Sequence, residues 1–311
     1  MAPVWSVMVP AYQPDESYLR QMLASVLAQD PGAEAMQIEV VDDASPDADV
    51  ASMVRQIAGD RVRVRRSPKN LGLAGCWNEC VRLAEGERVH LLHQDDIVLP
   101  GFYRALDRGF ESGRDVGAAF CRHAVIDPDG HWGSLSPLER SDPGVLENWL
   151  PKIATWSRIQ CPAIVVRKSV YDRLGGFRVD LGHVLDWEMW MRIARSHPIF
   201  YDPAILACFR RHSESATTAN EKNGRALAEG FHALKLFSSH RGREESAEAY
   251  RIYSEYGLKL VRRLAKEGDT AAAWANLRTL LCRCRRRKVW SQGVRMIPRL
   301  IARSISRSNQ R

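Results

Sequence analysis

Three times before residue 85 a short apolar run is followed by an apolar stripe at helical spacing, and a fourth run closes the series. Ser6–Val9 stops at Pro10, and Leu19, Met22, Leu23, Val26 and Leu27 then line one helix face. Ile38–Val41 ends in Asp42-Asp43, and Ser45 before Pro46 reads as the cap of a helix carrying Val50, Met53, Val54 and Ile57. Val62–Arg65 alternates as a half-exposed strand. Leu73, Cys76, Trp77, Cys80, Val81 and Ala84 form the third helical face, closed by Gly86, and Val89–Leu92 is the fourth strand. Strands that alternate with helices over short connections predict an α/β fold, a mainly parallel sheet with helices on both faces. Ligands on such sheets sit at the carboxyl ends of the strands. Here those ends carry Pro10-Ala11-Tyr12, Asp42-Asp43 and His93-Gln94-Asp95-Asp96, so an aromatic ring and a set of acids converge.

Beyond residue 110 the pattern loosens. Val116–Cys121 and His123–Ile126 read as strands, Asp127-Pro128-Asp129-Gly130 as a turn and Ala163–Val166 as another strand. From about Lys222 the pattern is helical: Ile252, Tyr253, Tyr256, Leu260 and Leu264 give one stripe, Gly268-Asp269 a break and cap, and Trp274, Leu277 and Leu281 a second. These features predict an α/β domain over 1–220, a helical extension over 221–280 and a basic amphipathic tail over 281–311.

The formal charge of +8 is unevenly placed. Residues 280–311 hold ten Lys/Arg and no acid, which leaves 35 basic against 37 acidic side chains in the rest of the chain. A near-neutral body argues against a nucleic-acid-binding fold, and no nucleic acid partner is expected. No apolar run is long enough to span a bilayer, and the first residues have no basic segment leading into a hydrophobic stretch, so a cytosolic protein is expected. The seven cysteines are odd in number and scattered, which fits buried thiols and neither a disulfide framework nor a paired zinc motif.

Adjacent carboxylates at a strand end, Asp95 and Asp96, are hard oxygen ligands suited to Mg²⁺ or Mn²⁺. Asp186 precedes Trp187, Trp190, Met191 and Ala194, so helix capping alone accounts for an acid there, and a general base is the competing reading. Four segments extend the pattern: Ser6–Tyr12, Val40–Ser45, Asn70–Ala74 with Asn78, and Leu91–Asp96 with Pro100. Together with Leu174–Phe177, Asp186-Trp187-Glu188 with Trp190 and Arg192, and Phe209–His212, they resemble the family 2 glycosyltransferases over residues 4–218.

That resemblance implies a GT-A fold, a nucleotide-diphosphate sugar donor, a divalent metal and inversion at the anomeric carbon. It implies that Pro10, Ala11, Tyr12, Asp42 and Asp43 hold the nucleoside, with Asn70 and Gly72 beside them. It makes Asp95 and Asp96 the metal ligands, Asp186 the base with Glu188 as fallback, and Arg210 a contact to the donor diphosphate. His212 is a further candidate for metal or phosphate, and the polar run Ser213, Ser215, Thr217 and Thr218 reads as a mobile lid. The sequence departs from the family pattern where His93 stands for the first Asp of an Asp-x-Asp motif and Leu185 for a Glu before Asp186.

The expected activity is transfer of a sugar to a hydroxyl of a glycan or lipid-linked acceptor in surface glycan or glycolipid assembly. The alternative, suggested by His93 and Leu185, is a sugar-nucleotide-binding or assembly protein that has lost turnover. Arg295, Arg299, Arg303 and Arg307 recur beside Val294, Ile297, Leu300 and Ile301, with Trp290 as an anchor. Residues 283–307 are thus a candidate for an anionic membrane surface, placing the protein peripherally at the inner face of the cell membrane.

Overall fold

The computed structural model describes residues 3–112, 115–284, 287–298 and 300. It contains two compact units: Met1–Asn148 with Arg158–Asp180 and Leu185–Arg211, and Trp149–Ser157 with Leu181–Val184 and the chain from His212 onward. The division falls at Arg211/His212 rather than at residue 220, and two short earlier segments belong to the second unit.

The first unit runs β1 (Trp5–Ala11), α1 (Glu16–Leu27), β2 (Met36–Asp42), α2 (Val50–Ala58), β3 (Arg63–Arg66), α3 (Gly72–Leu83) and β4 (Arg88–Leu91). It continues with β5 (Ile97–Val98), α4 (Phe102–Phe110), β6 (Ala118–Ile126), β7 (Trp132–Leu135) and β8 (Gly144–Val145). After α5 (Leu150–Ile153), which belongs to the second unit, come β9 (Ile164–Arg167), α6 (Lys168–Leu174), α7 (Leu185–Ser196) and β10 (Ile199–Arg210). One ten-stranded sheet has the order β3-β2-β1-β4-β9-β6-β10-β5, with β7 beside β6 and β8 beside β10. Strands β1 to β4 are parallel and β6 is parallel to β10, whereas β9 runs antiparallel to both β4 and β6. The expected pair Val116–Cys121 and His123–Ile126 is one continuous strand, β6.

Alternation along β1 and β2 sorts the two faces of the sheet. Val7, Val9, Ala11, Ile38 and Val40 pack with Leu19, Met22, Leu23 and Val26 of α1, Val50 and Val54 of α2, and Phe102, Leu106 and Phe110 of α4. Each of the Val, Leu, Ile, Met and Phe side chains among them contributes about 1.5–3 kcal/mol on burial. The opposite face carries Ser6, Gln37 and Glu39, all buried, beneath α3. Ser6 Oγ accepts the Gly86 N–H at 2.7 Å, Gln37 Oε1 accepts the Glu85 N–H at 2.8 Å, and Gln37 Nε2 donates to Leu83 O. Glu39 pairs with Arg63 and Arg65 of β3. The polar pattern inside these strands therefore fastens the chain that leaves α3.

Gly86 does not cap that helix; Ala84 does, and Gly86 lies against β1. A Cβ at Gly86 would stand 2.6 Å from the Trp5 carbonyl carbon and 2.8 Å from the Ser6 nitrogen, both main-chain atoms. Gly86→Ala is expected to destabilise by about 1–3 kcal/mol. Calorimetry checks this as a fall of several degrees in Tm, and an unchanged Tm would contradict the close approach. Ser45 is likewise not the cap of α2. Asp49 accepts the Ser52 N–H in that role, and Ser45 Oγ accepts the Gln13 N–H at 2.9 Å.

The second unit contains α8 (Ala216–Lys222), α9 (Arg225–Leu236), α10 (Arg243–Lys266), α11 (Thr270–Arg283) and α12 (Arg287–Val294). The expected cap at Asp269 is present, accepting the Ala272 N–H, after Gly268 at φ 82°. The polar run expected as a lid instead starts α8: Ser215 caps through the Thr218 N–H, and both hydroxyls donate to His212 O. Among the described residues no helix is long and apolar enough to cross a membrane. The expected tail falls partly outside the described residues, at 285–286, 299 and 301–311, and these include Arg299, Arg303 and Arg307. Six cysteines are buried, and Cys282 is exposed.

Candidate active site

His93, Asp95 and Asp96 leave the end of β4 and bring their ligand atoms within 4.8 Å of one another. Asp96 is fully buried. Its Oδ1 accepts the Arg210 N–H at 2.8 Å, and its Oδ2 lies 3.5 Å from His93 Nδ1 without a hydrogen bond. His93 Nε2 is likewise buried and unbonded. Burial pushes the Asp96 carboxyl up to about 6 against the pull of the imidazole. Burial also opposes the charge on His93, yet Cys161 and Asp96 hold that ring well above its ordinary value. The Cys161 thiol, pushed up to about 11 by burial, is neutral near pH 7, so the Asp96 carboxylate is the partner that favours the imidazolium.

An orphaned buried carboxylate oxygen beside an imidazole and a second carboxylate fits a divalent cation. Once a cation displaces the imidazolium proton, two oxygens and one nitrogen would suit Mn²⁺ better than Mg²⁺, which takes oxygen almost alone. A second acid–histidine group, Asp127, Asp129 and His131, is exposed. It is explained as a turn in which Asp127 Oδ1 accepts the Asp129 and His131 N–H groups.

The expected nucleoside residues gather at the ends of β1 and β2. Pro10 and Ala11 end β1, and Tyr12 is 48% exposed beyond it. Gln94, inside the acidic loop, accepts the Tyr12 N–H at 2.8 Å and donates to Tyr12 O at 3.2 Å. One side-chain amide thus ties the exposed aromatic residue to the acidic loop. Asp42 Oδ1 accepts the Ser45 N–H, and Oδ2 pairs with Arg66 at 2.5 Å. Asp43 Oδ1 and Oδ2 accept the N–H groups of Leu71 and Gly72, at 2.7 and 3.0 Å, where α3 begins. A carboxylate there satisfies orphan donors and meets the positive end of the helix dipole. Burial nevertheless pushes Asp43 above its usual value, the two N–H groups pulling it back. Asn70 donates to Asp43 O and accepts from Gly72, whose φ of 71° suits glycine.

A third group is built on α7. Asp186 is its second residue, inside the first turn rather than capping from outside, and accepts the N–H of Trp187 at 2.6 Å. Burial pushes its carboxyl up to about 6, opposed by the Trp187 N–H and by His93. Cys161 lies in the field of His93, Asp186 and Asp96, which places the four groups together. Glu188, the fallback base, is paired with Arg192 at 2.9 Å. Arg192 also donates to the carbonyls of Leu174, Gly175 and Gly176. From the other side Asn78 clamps Phe177, accepting its N–H at 2.6 Å and donating to its carbonyl at 2.9 Å. Phe177 meets Trp77 edge-on, and Trp77 in turn lies 4.9 Å from the His93 ring.

Arg210 departs from its expected contact with a diphosphate. It is 1% exposed, and its guanidinium donates to the carbonyls of Asp95, Asp127 and Pro128 and to Gln21 Oε1, with Tyr18 under its face. The side chain fixes the acidic loop rather than presenting a cation. His212 opens the second unit. The sequence alone assigns no role to Gln94, Cys161 or the Asn78 clamp. Gln94 stands within the acidic motif and Asn78 follows the Asn70–Ala74 segment, whereas no local signal marks Cys161.

The glycosyl transferase family 2 model matches residues 6–175. The chain belongs to that family. An uncharacterized protein of Mycobacterium tuberculosis is 31% identical over 238 residues, which cover 70% of this chain and 69% of that one. An O-antigen biosynthesis protein of Myxococcus xanthus is 23% identical over 237 residues, 73% of this chain but 18% of its own length. Among solved structures, S. aureus TarS in complex with UDP-GlcNAc superposes with a TM-score of 0.61 at 17% identity, covering 89% of this chain and 81% of that one. The fold is therefore that of a GT-A glycosyltransferase with a C-terminal helical region.

Proposed function

We propose that this chain is an inverting, metal-assisted glycosyltransferase that moves a sugar from a nucleotide diphosphate to a hydroxyl acceptor in surface glycan or glycolipid assembly. The observation that carries the reading is the carboxylate pair of the acidic loop, half-buried Asp95 and buried Asp96, with Asp186, its carboxyl raised, gathered around His93 and Cys161. Likeness to TarS bound to UDP-GlcNAc supports a sugar-nucleotide donor, and likeness to an O-antigen biosynthesis protein supports a glycan acceptor. Asp95 and Asp96, with His93, are the proposed metal ligands, and His212 is a further candidate. A bound Mn²⁺ or Mg²⁺ would supply positive charge to the leaving diphosphate.

The residues of the chain divide the remaining work. Pro10, Ala11 and Tyr12, with Asp42, Asp43, Asn70 and Gly72, are proposed to bind the nucleoside, Asp43 through lone pairs left on oxygens already fixed by α3. Asp186 takes the acceptor proton as the acceptor oxygen attacks the anomeric carbon and the carbon–oxygen bond to the diphosphate breaks with its electron pair. Arg210 is a positioning residue for the loop that holds Asp95 and Asp96. Trp290, 48% exposed on α12, and the excess of arginine around it are proposed to meet an anionic membrane surface.

A thermal-shift and turnover screen of UDP-, GDP- and TDP-sugars with and without Mn²⁺ tests this reading. One donor is expected to raise Tm only with metal and to be hydrolysed slowly. No metal-dependent shift with any donor would overturn it.

A further inference from the structure

The helices beyond the family match contain a carboxylate bound to main chain far from them in sequence. Glu229 of α9 is mostly buried, and its Oε2 accepts three consecutive N–H groups, from Gly182 at 3.0 Å, His183 at 2.7 Å and Val184 at 3.2 Å. Its Oε1 accepts the Gly182 N–H at 3.1 Å and pairs with Arg225. Asn220 of α8 holds the same segment from its carbonyl side, donating to Gly182 O at 3.1 Å. A Cβ at Gly182 would stand 2.5 Å from the Arg225 guanidinium carbon, so a larger residue there would push that side chain aside. The N–H groups and Arg225 hold the Glu229 carboxyl below its usual range although burial opposes this.

Three successive N–H groups converging on one carboxylate oxygen form an anion nest, here filled by the protein itself. Such charge-assisted bonds are roughly twice as strong as neutral ones. The segment they hold, Leu181–Val184, belongs to the second unit and is followed directly by Leu185 and Asp186 at the start of α7. The helical region thus reaches the main chain two residues before the proposed base.

We propose that Glu229 is a positioning residue: it fixes the segment that delivers Asp186, so the C-terminal helices take part in turnover without contributing a group to the chemistry. This rests on the transferase reading. A base displaced by about an ångström loses a large part of its effect, whereas donor binding, assigned to residues of the first unit, is left intact.

The test compares wild type with Glu229→Gln and Asn220→Ala, using whichever of the UDP-, GDP- and TDP-sugars wild type turns over with Mn²⁺, and follows hydrogen exchange of the peptide covering 181–187. For Glu229→Gln, kcat is expected to fall at least tenfold with donor KM within twofold, and exchange of the peptide to quicken. Asn220→Ala, which removes one neutral bond at the other side of the segment, should move both readouts the same way by less, and it decides the matter if Glu229→Gln does not fold. Unchanged exchange, unchanged kcat, or a rise in KM matching the fall in kcat would overturn the proposal. A wild type that turns over no sugar nucleotide would overturn the transferase reading and the catalytic role of Glu229 with it, whereas quickened exchange beside unchanged kcat would overturn the positioning role alone.

Discussion

Asp186→Asn is expected to lower turnover by about 10²–10⁴, the usual contribution of a positioned general base, and at the same time to raise stability at neutral pH. The second effect follows from the first residue's environment. Burial raises the folded-state carboxyl from 3.8 to about 6. Below pH 3.8 the group is protonated in both the folded and the unfolded chain, so the protein is then free of any penalty from it. The penalty grows as pH rises between these values and is complete above about 6, where a charge must be held in a crowded site. A shift of about two units corresponds to a stabilisation of at most about 3 kcal/mol on replacing the carboxylate by an amide.

Asn keeps an oxygen for the Trp187 N–H, so the helix start is preserved. Thermal unfolding at pH 7.5 should show the variant melting above wild type, with the difference closing near pH 4. Wild-type turnover should fall as the pH is lowered through about 6, where Asp186 takes up its proton. A variant that melts at or below wild type at pH 7.5 would mean that the carboxylate is stabilised where it stands and is not a strained base.

Asp96→Asn carries the second large effect. The amide oxygen can still accept the Arg210 N–H, so the loop should keep its shape, while the charge on the buried, unbonded Oδ2 is lost. Affinity for Mn²⁺ together with the sugar nucleotide is expected to fall at least about 100-fold, because a hard cation held by two carboxylates and an imidazole loses one of its two anionic ligands. Titration calorimetry with Mn²⁺ and the donor measures this directly. Equal metal dependence in the variant and wild type would remove Asp96 from the proposed ligand set.

What could be read in the sequence depended on the range of the interactions involved. Ile38–Val41 and Leu19–Leu27 declare strand and helix because their apolar periods are local, and β2 and α1 stand where those periods place them. The convergence of Tyr12, Asp43 and Asp96 was also legible, since parallel strands bring their carboxyl ends to one side. The roles of individual polar atoms were not. Ser45 before Pro46 has every local mark of a cap, yet its hydroxyl is taken by a main-chain N–H 32 residues away. Arg210 stands in a motif that suggests an exposed cation, but carbonyls of the Asp127-Pro128 turn, more than 80 residues earlier, bury its guanidinium. Cys161 has no distinguishing neighbours in the chain and acquires its place only when β9 is inserted between β4 and β6. Glu229 is one acid on an ordinary helical stripe until the segment before α7 folds onto it.

Displacement at the anomeric carbon by a hydroxyl that gives its proton to an Asp base, with a metal on the diphosphate, inverts the configuration of the first-formed product. Proton NMR of the anomeric signals, recorded with Mg²⁺ in the first minutes of turnover of an α-linked sugar nucleotide, should show the β product appearing first, with no consumption when the metal is chelated. A product that first appears with the α configuration would mean retention, and consumption that continues without metal would exclude the metal from the reaction.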